Sequence, residues 1–127
     1  MAQYADIVEI VAPREAMAGD RVDITVRIKN LYPATIGIMV GGAQEYGVAP
    51  WPGIEFPTNW ANVLGGVTQS FSGYFTMPYR AVKIHAYSYY YAEGTWHFDD
   101  EMIRTIDLAA VPESELSSIE IISYARR

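Results

Sequence analysis

The segment His97-Phe98-Asp99-Asp100-Glu101 gathers an imidazole and three carboxylates within five positions. Hard carboxylate oxygens suit Ca²⁺, and two histidines with a carboxylate would suit a transition metal. On a strand, however, successive side chains point to opposite faces. Asp99 and Glu101 then share a face and Asp100 does not join them. The second histidine, His85, lies much farther from the intervening turn than His97 does, so the two do not face each other across a hairpin. The expectation is an acidic, solvated strand entry with no metal, Asp99, Asp100 and Glu101 being the residues to test. Each histidine is expected to be a partly exposed sheet residue. No Ser-His-Asp signature, phosphate-cradling glycine loop before a helix, or zinc spacing is present. No catalytic residue and no cofactor is therefore expected, and the chain reads as a non-enzyme.

The tyrosines are the strongest non-random feature. Tyr87, Tyr89 and Tyr91 form one stripe at period two, and Lys83 and His85 extend it. Tyrosine favours strands and carries an amphipathic ring. A stripe opposite Val82, Ile84 and Ala86 needs cover. The loop at residues 41–66, the tail, another subunit or a ligand would supply it. Sugar rings stack on flat aromatic faces, so a glycan is one such ligand. Trp51, Trp60 and Trp96 read either as anchors that plug the ends of the fold or as a binding platform.

The elements that must position these side chains follow from alternation and punctuation. Val22, Ile24, Val26 and Ile28 alternate with polar residues over 21–30, which predicts a strand with one buried face. A strand is expected at 5–11, ended by Pro13, and another at 34–40, broken by Gly41-Gly42. The connection at 41–66 holds prolines, glycines and two of the tryptophans, with one short strand near 43–48. Strands follow at 67–77, closed by Pro78, at 81–91, and at 97–108 after the turn Ala92-Glu93-Gly94-Thr95. Six or seven strands with regular turn signals predict an all-β, antiparallel sandwich of immunoglobulin-like type. A small barrel is the main alternative.

The chain has 127 residues, half of them apolar, and no cysteine. One domain without disulfide or thiolate sites is expected. The net charge is −6, with Lys29 and Lys83 the only lysines. That balance argues against nucleic acid as a partner, because phosphate neutralisation dominates such binding. No apolar run reaches the roughly 18 residues that span a membrane. The start lacks a basic stretch followed by an apolar one, so no signal peptide is expected.

Residues 1–110 are expected to form the sandwich, and 111–127 a linker and a C-terminal arm or edge strand. In the arm, Ile119, Ile121, Ile122 and Tyr124 have strand character and read as interface residues.

The run from Pro13 through Ala18-Gly19-Asp20 into Val22-Asp23-Ile24-Thr25-Val26-Arg27-Ile28-Lys29-Asn30 resembles the opening of CARDB-like and related bacterial and archaeal immunoglobulin-like domains. Residues 65–78, with a Gly-X-Thr-X-Ser-Phe start and a Phe-X-Met-Pro finish, look like a later strand of the same families. The resemblance touches roughly a quarter of the chain. It implies a non-catalytic module of surface, adhesive or virion proteins. The expected function is a structural or interaction module of a larger assembly, with a protein partner or self-association, on a virion or an extracellular surface. The alternative is a carbohydrate-binding module that uses the Tyr/Trp surface.

Overall fold

The computed structural model describes residues 2–110. The expected arm, with Ile119, Ile121, Ile122 and Tyr124, lies outside them. In chain order the strands are β1 (Ala5–Val11), β2 (Glu15–Ala16), β3 (Arg21–Asn30), β4 (Ile36–Glu45), β5 (Trp60–Val63), β6 (Thr68–Thr76), β7 (Val82–Ala92) and β8 (Thr95–Leu108). They form two sheets, ordered β1-β3-β6 and β2-β8-β7-β4-β5. Among the described residues, only the two-residue β2 pairs in parallel, against the end of β8. The chain starts on the first sheet with β1, touches the second with β2, returns for β3, crosses to β4 and β5, comes back for β6, and ends on β7 and β8. This is the expected immunoglobulin-like sandwich.

Period-two alternation builds the core. Val22, Ile24, Val26 and Ile28 are almost fully buried. They face Ile38, Val40, Val82, Ile84, Ala86 and Ile106 of the other sheet, and Phe71, Phe75 and Met77 complete the layer. Asn30 ends β3 inside the core. Its amide donates to the carbonyls of Ala34 and Val63, both at 2.9 Å, and its oxygen accepts from the Tyr32 amide at 2.8 Å. All its polar atoms are thereby satisfied, as burial requires. The β7–β8 hairpin turns on Glu93 and Gly94, with φ of 54° and 78°. Positive φ at both central residues matches the strand twist.

Two expectations in the connecting region are corrected. Gly41-Gly42 does not break the fourth strand, which continues to Glu45, so the separate strand expected near 43–48 is the second half of β4. The actual extra strand is β5, at the far end of the loop. The glycines serve space here, not turning. A Cβ on Gly42 would lie 3.0 Å from Ile54 Cδ1 and 3.2 Å from Phe56 Cε2. Residues 46–59 cross from one sheet to the other and seal the side of the sandwich. Ala43 bridges to Gly53 on one sheet, and Glu55 bridges to Tyr74 on the other. Ile54 and Phe56 enter the core between them.

Candidate functional site

Strand β7 carries two faces of different chemistry. Val82, Ile84, Ala86 and Ser88 point inward, and Lys83, His85, Tyr87, Tyr89 and Tyr91 point outward. Register brings partners alongside the outer row. Trp96 lies opposite Tyr91, Phe98 opposite Tyr89, and Glu101 opposite Tyr87 on β8. On the other side β4 places Met39, Gly41 and Ala43 beside Tyr89, Tyr87 and His85. The rings make edge contacts in sequence. Centroids are 6.2 Å apart for Tyr87–Phe98, 5.8 Å for Tyr89–Phe98, 5.2 Å for Tyr91–Trp96 and 6.3 Å for Trp60–Trp96. Phe98, Ile103, Trp60 and Tyr91 are each about half exposed (58, 51, 49 and 47%). The outer face of the five-stranded sheet thus carries an aromatic band in two ring clusters, Trp60–Trp96–Tyr91 and Tyr89–Phe98–Tyr87, partly open to solvent.

At one end the band becomes concave. A cleft of about 530 Å³ lies between Trp60 of β5 and Trp96 of β8, with Tyr91, Asn59 and Asn62 on its walls and Gly37 and Met39 as its floor. Gly37 creates the depression. A Cβ there would lie 3.2 Å from Tyr91 Cβ and 3.3 Å from Trp96 Cη2. The Asn59 carbonyl accepts the Val40 amide at 2.8 Å, which fixes the approach to β5. Among the described residues, no charged side chain lines the cleft.

At the other end the band closes over His85. This histidine is 6% exposed, so the expectation of partial exposure is corrected. Its Nδ1 lies 2.6 Å from Glu101 Oε2 and its Nε2 lies 2.7 Å from Glu45 Oε1. Trp51, from the crossing loop, stacks on the imidazole at 5.1 Å and 23°. Burial opposes the imidazolium charge, but hydrogen bonds to Glu101 and Glu45 and their negative charges outweigh it. His85 therefore binds its proton more tightly than an ordinary histidine. The Tyr87 phenol is pushed up by burial, then by Glu101. Glu45 and Glu101 occupy opposite ring nitrogens, so the three groups do not converge on one point. With both nitrogens engaged and Trp51 above, the imidazole has no atom to offer a substrate. Trp51 acts here as a cover within the fold, and its Nε1 is buried without a hydrogen-bond partner among the described residues.

The acidic segment divides in a way that alternation does not anticipate. Ser88 pairs with Asp100 and Tyr89 with Phe98, so Asp99 is the extra residue of a β-bulge. The bulge turns Asp99 and Asp100 toward β1 and leaves Glu101 on the outer face. The expected sharing of a face by Asp99 and Glu101 is corrected accordingly. Asp99 accepts the amides of Gln3, Tyr4 and Ala5 at 2.7, 2.8 and 2.6 Å. Asp100 accepts the Ile7 amide at 3.0 Å. Farther along, Arg104 donates to the carbonyls of Ile10 and Ala12 at 2.7 and 3.0 Å. These side chains occupy the free edge of β1, where unpaired backbone would otherwise recruit another strand. Among the described residues, no cluster of His, Asp or Glu has a metal-holding arrangement. His97 stacks on Tyr90 at 5.1 Å and donates from Nε2 to the Ala92 carbonyl at 3.0 Å.

The structure therefore brings together Tyr87, Tyr89, Tyr91, Trp60 and Trp96 on one face and sets Trp51 against His85. Sequence reading missed Glu45, Asn59, Asn62, Phe98 and Gly37 as parts of this face. Four of them lie in or beside segments without sustained alternation, and Phe98 was masked by its acidic neighbours.

No protein-family model matches the sequence, and no curated protein matches it. Solved structures do match in fold. Native α2-macroglobulin of Escherichia coli, from domain MG7 to the C-terminus, is 20% identical with a TM-score of 0.60 over 86% of this chain and 17% of that one. Spo0M, a sporulation control protein of Bacillus subtilis, is 18% identical with a TM-score of 0.55 over 94% of this chain and 56% of that one. A chain of the human seminal-plasma complex of zinc 2-glycoprotein and prolactin inducible protein is 11% identical with a TM-score of 0.56, over 84% and 98%. The chain thus spans under a fifth of the α2-macroglobulin fragment and just over half of Spo0M. The expected resemblance holds only at the coarser level of an immunoglobulin-like β-sandwich fold, and these structures do not single out CARDB-like domains.

Proposed function

We propose that this chain is a non-catalytic interaction module of a larger assembly, on a virion or a repeated surface protein, and that the outer aromatic face of the five-stranded sheet is its contact surface. The observation that carries this reading is the aromatic band made by Trp60, Trp96 and Tyr91 and by Tyr89, Phe98 and Tyr87, in which Phe98, Trp60 and Tyr91 are each about half exposed. Aromatic residues are enriched in protein interfaces and charged residues are depleted at their buried centres; here Glu101, opposite Tyr87, stands at the margin of the aromatic band. The partner is another protein or a second copy of the chain. Sedimentation of the wild type against Phe98→Glu tests the second-copy case. Concentration-dependent association that the substitution abolishes is the expected outcome. A wild type that stays monomeric at high concentration and retains no partner from its native assembly overturns the reading.

A second reading, a carbohydrate-binding module, is favoured by a specific observation. The cleft between Trp60 and Trp96 combines flat aromatic walls with two carboxamides, Asn59 and Asn62.

A further inference from the structure

We infer that the cleft between Trp60 and Trp96 is a subsite for an uncharged pyranose ring, an inference that rests on the carbohydrate reading above. A pyranose has an apolar face of C–H groups and a rim of hydroxyls. The cleft offers a surface for each. Trp60 and Trp96 meet at 63° with centroids 6.3 Å apart, and Tyr91 stands against Trp96 at 69°. These planes form a corner in which one ring lies flat against an indole while a second indole closes its edge.

The polar groups fit the rim. A carboxamide both donates and accepts hydrogen bonds, and so does a hydroxyl. A peptide carbonyl requires donors alone, so a pair of asparagines matches a polyol better than a proline-rich peptide. Asn62 pairs across the sheet with Gly37, at the floor. Asn59 sits at the rim, its backbone carbonyl bound to the Val40 amide.

Charge selects the class of sugar. Among the described residues no charged side chain lines the cleft, and the chain carries a net −6. An anionic sugar would enter a negative field without a countercharge, whereas a neutral ring meets no such barrier.

Gly37 indicates that the concavity is built. A glycine within a strand weakens the strand unless something must approach closely. Here the approaching groups are Trp96 Cη2 and Tyr91 Cβ. Alanine at this position would lift Trp96 and flatten the cleft, with little effect on the distant core.

The test titrates the full chain with neutral gluco-, manno- and galacto-oligosaccharides, uronic-acid oligosaccharides and a proline-rich peptide, read by calorimetry and tryptophan fluorescence. Neutral oligosaccharide is expected to bind. Trp60→Ala should weaken it by about tenfold, the scale of one lost aromatic contact. Asn62→Ala should weaken it severalfold, and Gly37→Ala should weaken it while the melting temperature holds. Binding of uronic-acid sugars alone overturns the uncharged-ring inference and leaves the carbohydrate reading standing. Neutral-sugar binding that none of the three substitutions changes overturns the location. Binding of the peptide alone, or of nothing in the panel, overturns both the inference and the carbohydrate reading.

Discussion

Asp99 does with one carboxylate what a neighbouring strand does with a ladder. Its two oxygens take the amides of Gln3, Tyr4 and Ala5, and Asp100 takes that of Ile7. A buried amide left without a partner costs about 1–3 kcal/mol. Asp99→Ala removes the acceptor for three amides, two of them partly buried. We expect a loss of about 1–3 kcal/mol in equilibrium denaturation, the lower end holding if water enters. A loss within error of zero would mean that the clamp contributes nothing. The carboxylates were conspicuous in the sequence, yet their role was not. Strict alternation puts Asp99 beside Glu101, and one inserted residue reverses that. A bulge made of two aspartates carries no glycine or proline to announce it. His85 illustrates the other limit. Glu101 is in a neighbouring strand of the same hairpin, but Glu45 is 40 positions away. Only the β4–β7 register brings it to the imidazole.

At the scale of the element, alternation made β3, β6 and β7 legible almost residue by residue, because each has one wet face and one dry face. The segment at 41–63 was not legible, since its glycines are placed for close approach while reading as turn signals. Phe56 shows why. It reaches the core through a slot between Gly42 of β4 and Gly73 of β6. A Cβ on Gly73 would sit 2.6 Å from Phe56 Cε1 and 2.9 Å from the Glu55 carbonyl oxygen. Gly73 has no positive φ, so alanine meets no backbone objection there. Where space allows, Gly→Ala at such a position stabilises by about 0.4–1 kcal/mol. Here the sign should reverse, because the methyl group must displace a core aromatic ring. Gly73→Ala should cost about 1–3 kcal/mol, the usual range for overpacking. A stabilised Gly73→Ala protein in a urea melt would show that Phe56 does not seal the sandwich. Gly66, with φ of 78° and nothing within 4 Å of its missing Cβ, is the opposite case, a glycine used for turning.

For the whole molecule the proton is the informative probe. Among the described residues, three groups hold their protons more tightly in the native state than in the unfolded chain. Asp6 does so through burial, then the charges of Asp100 and Asp99. His85 does so because Glu101 and Glu45 overcome its burial, and Tyr87 through burial and then Glu101. Linkage makes stability fall with rising pH wherever the native state binds more protons. For Asp6 that window opens at the ordinary value of 3.8, for His85 at 6.5 and for Tyr87 at 10.0, each extending upward to the raised native value. The stabilisation from the imidazolium is fully present below 6.5 and is lost as pH rises through the native value. The net charge of −6 acts in the same direction, since self-repulsion grows as protons leave. The melting temperature should therefore decline as pH rises from about 6.5 to about 8. His85→Gln separates the two causes. It removes the titrating group and leaves the rest of the acidic surface, so its melting temperature should fall less steeply across that interval, from a lower starting value. A decline of equal slope in both proteins would assign the effect to net charge alone. A melting temperature that rises with pH in the wild type would contradict the Glu45–His85–Glu101 arrangement itself.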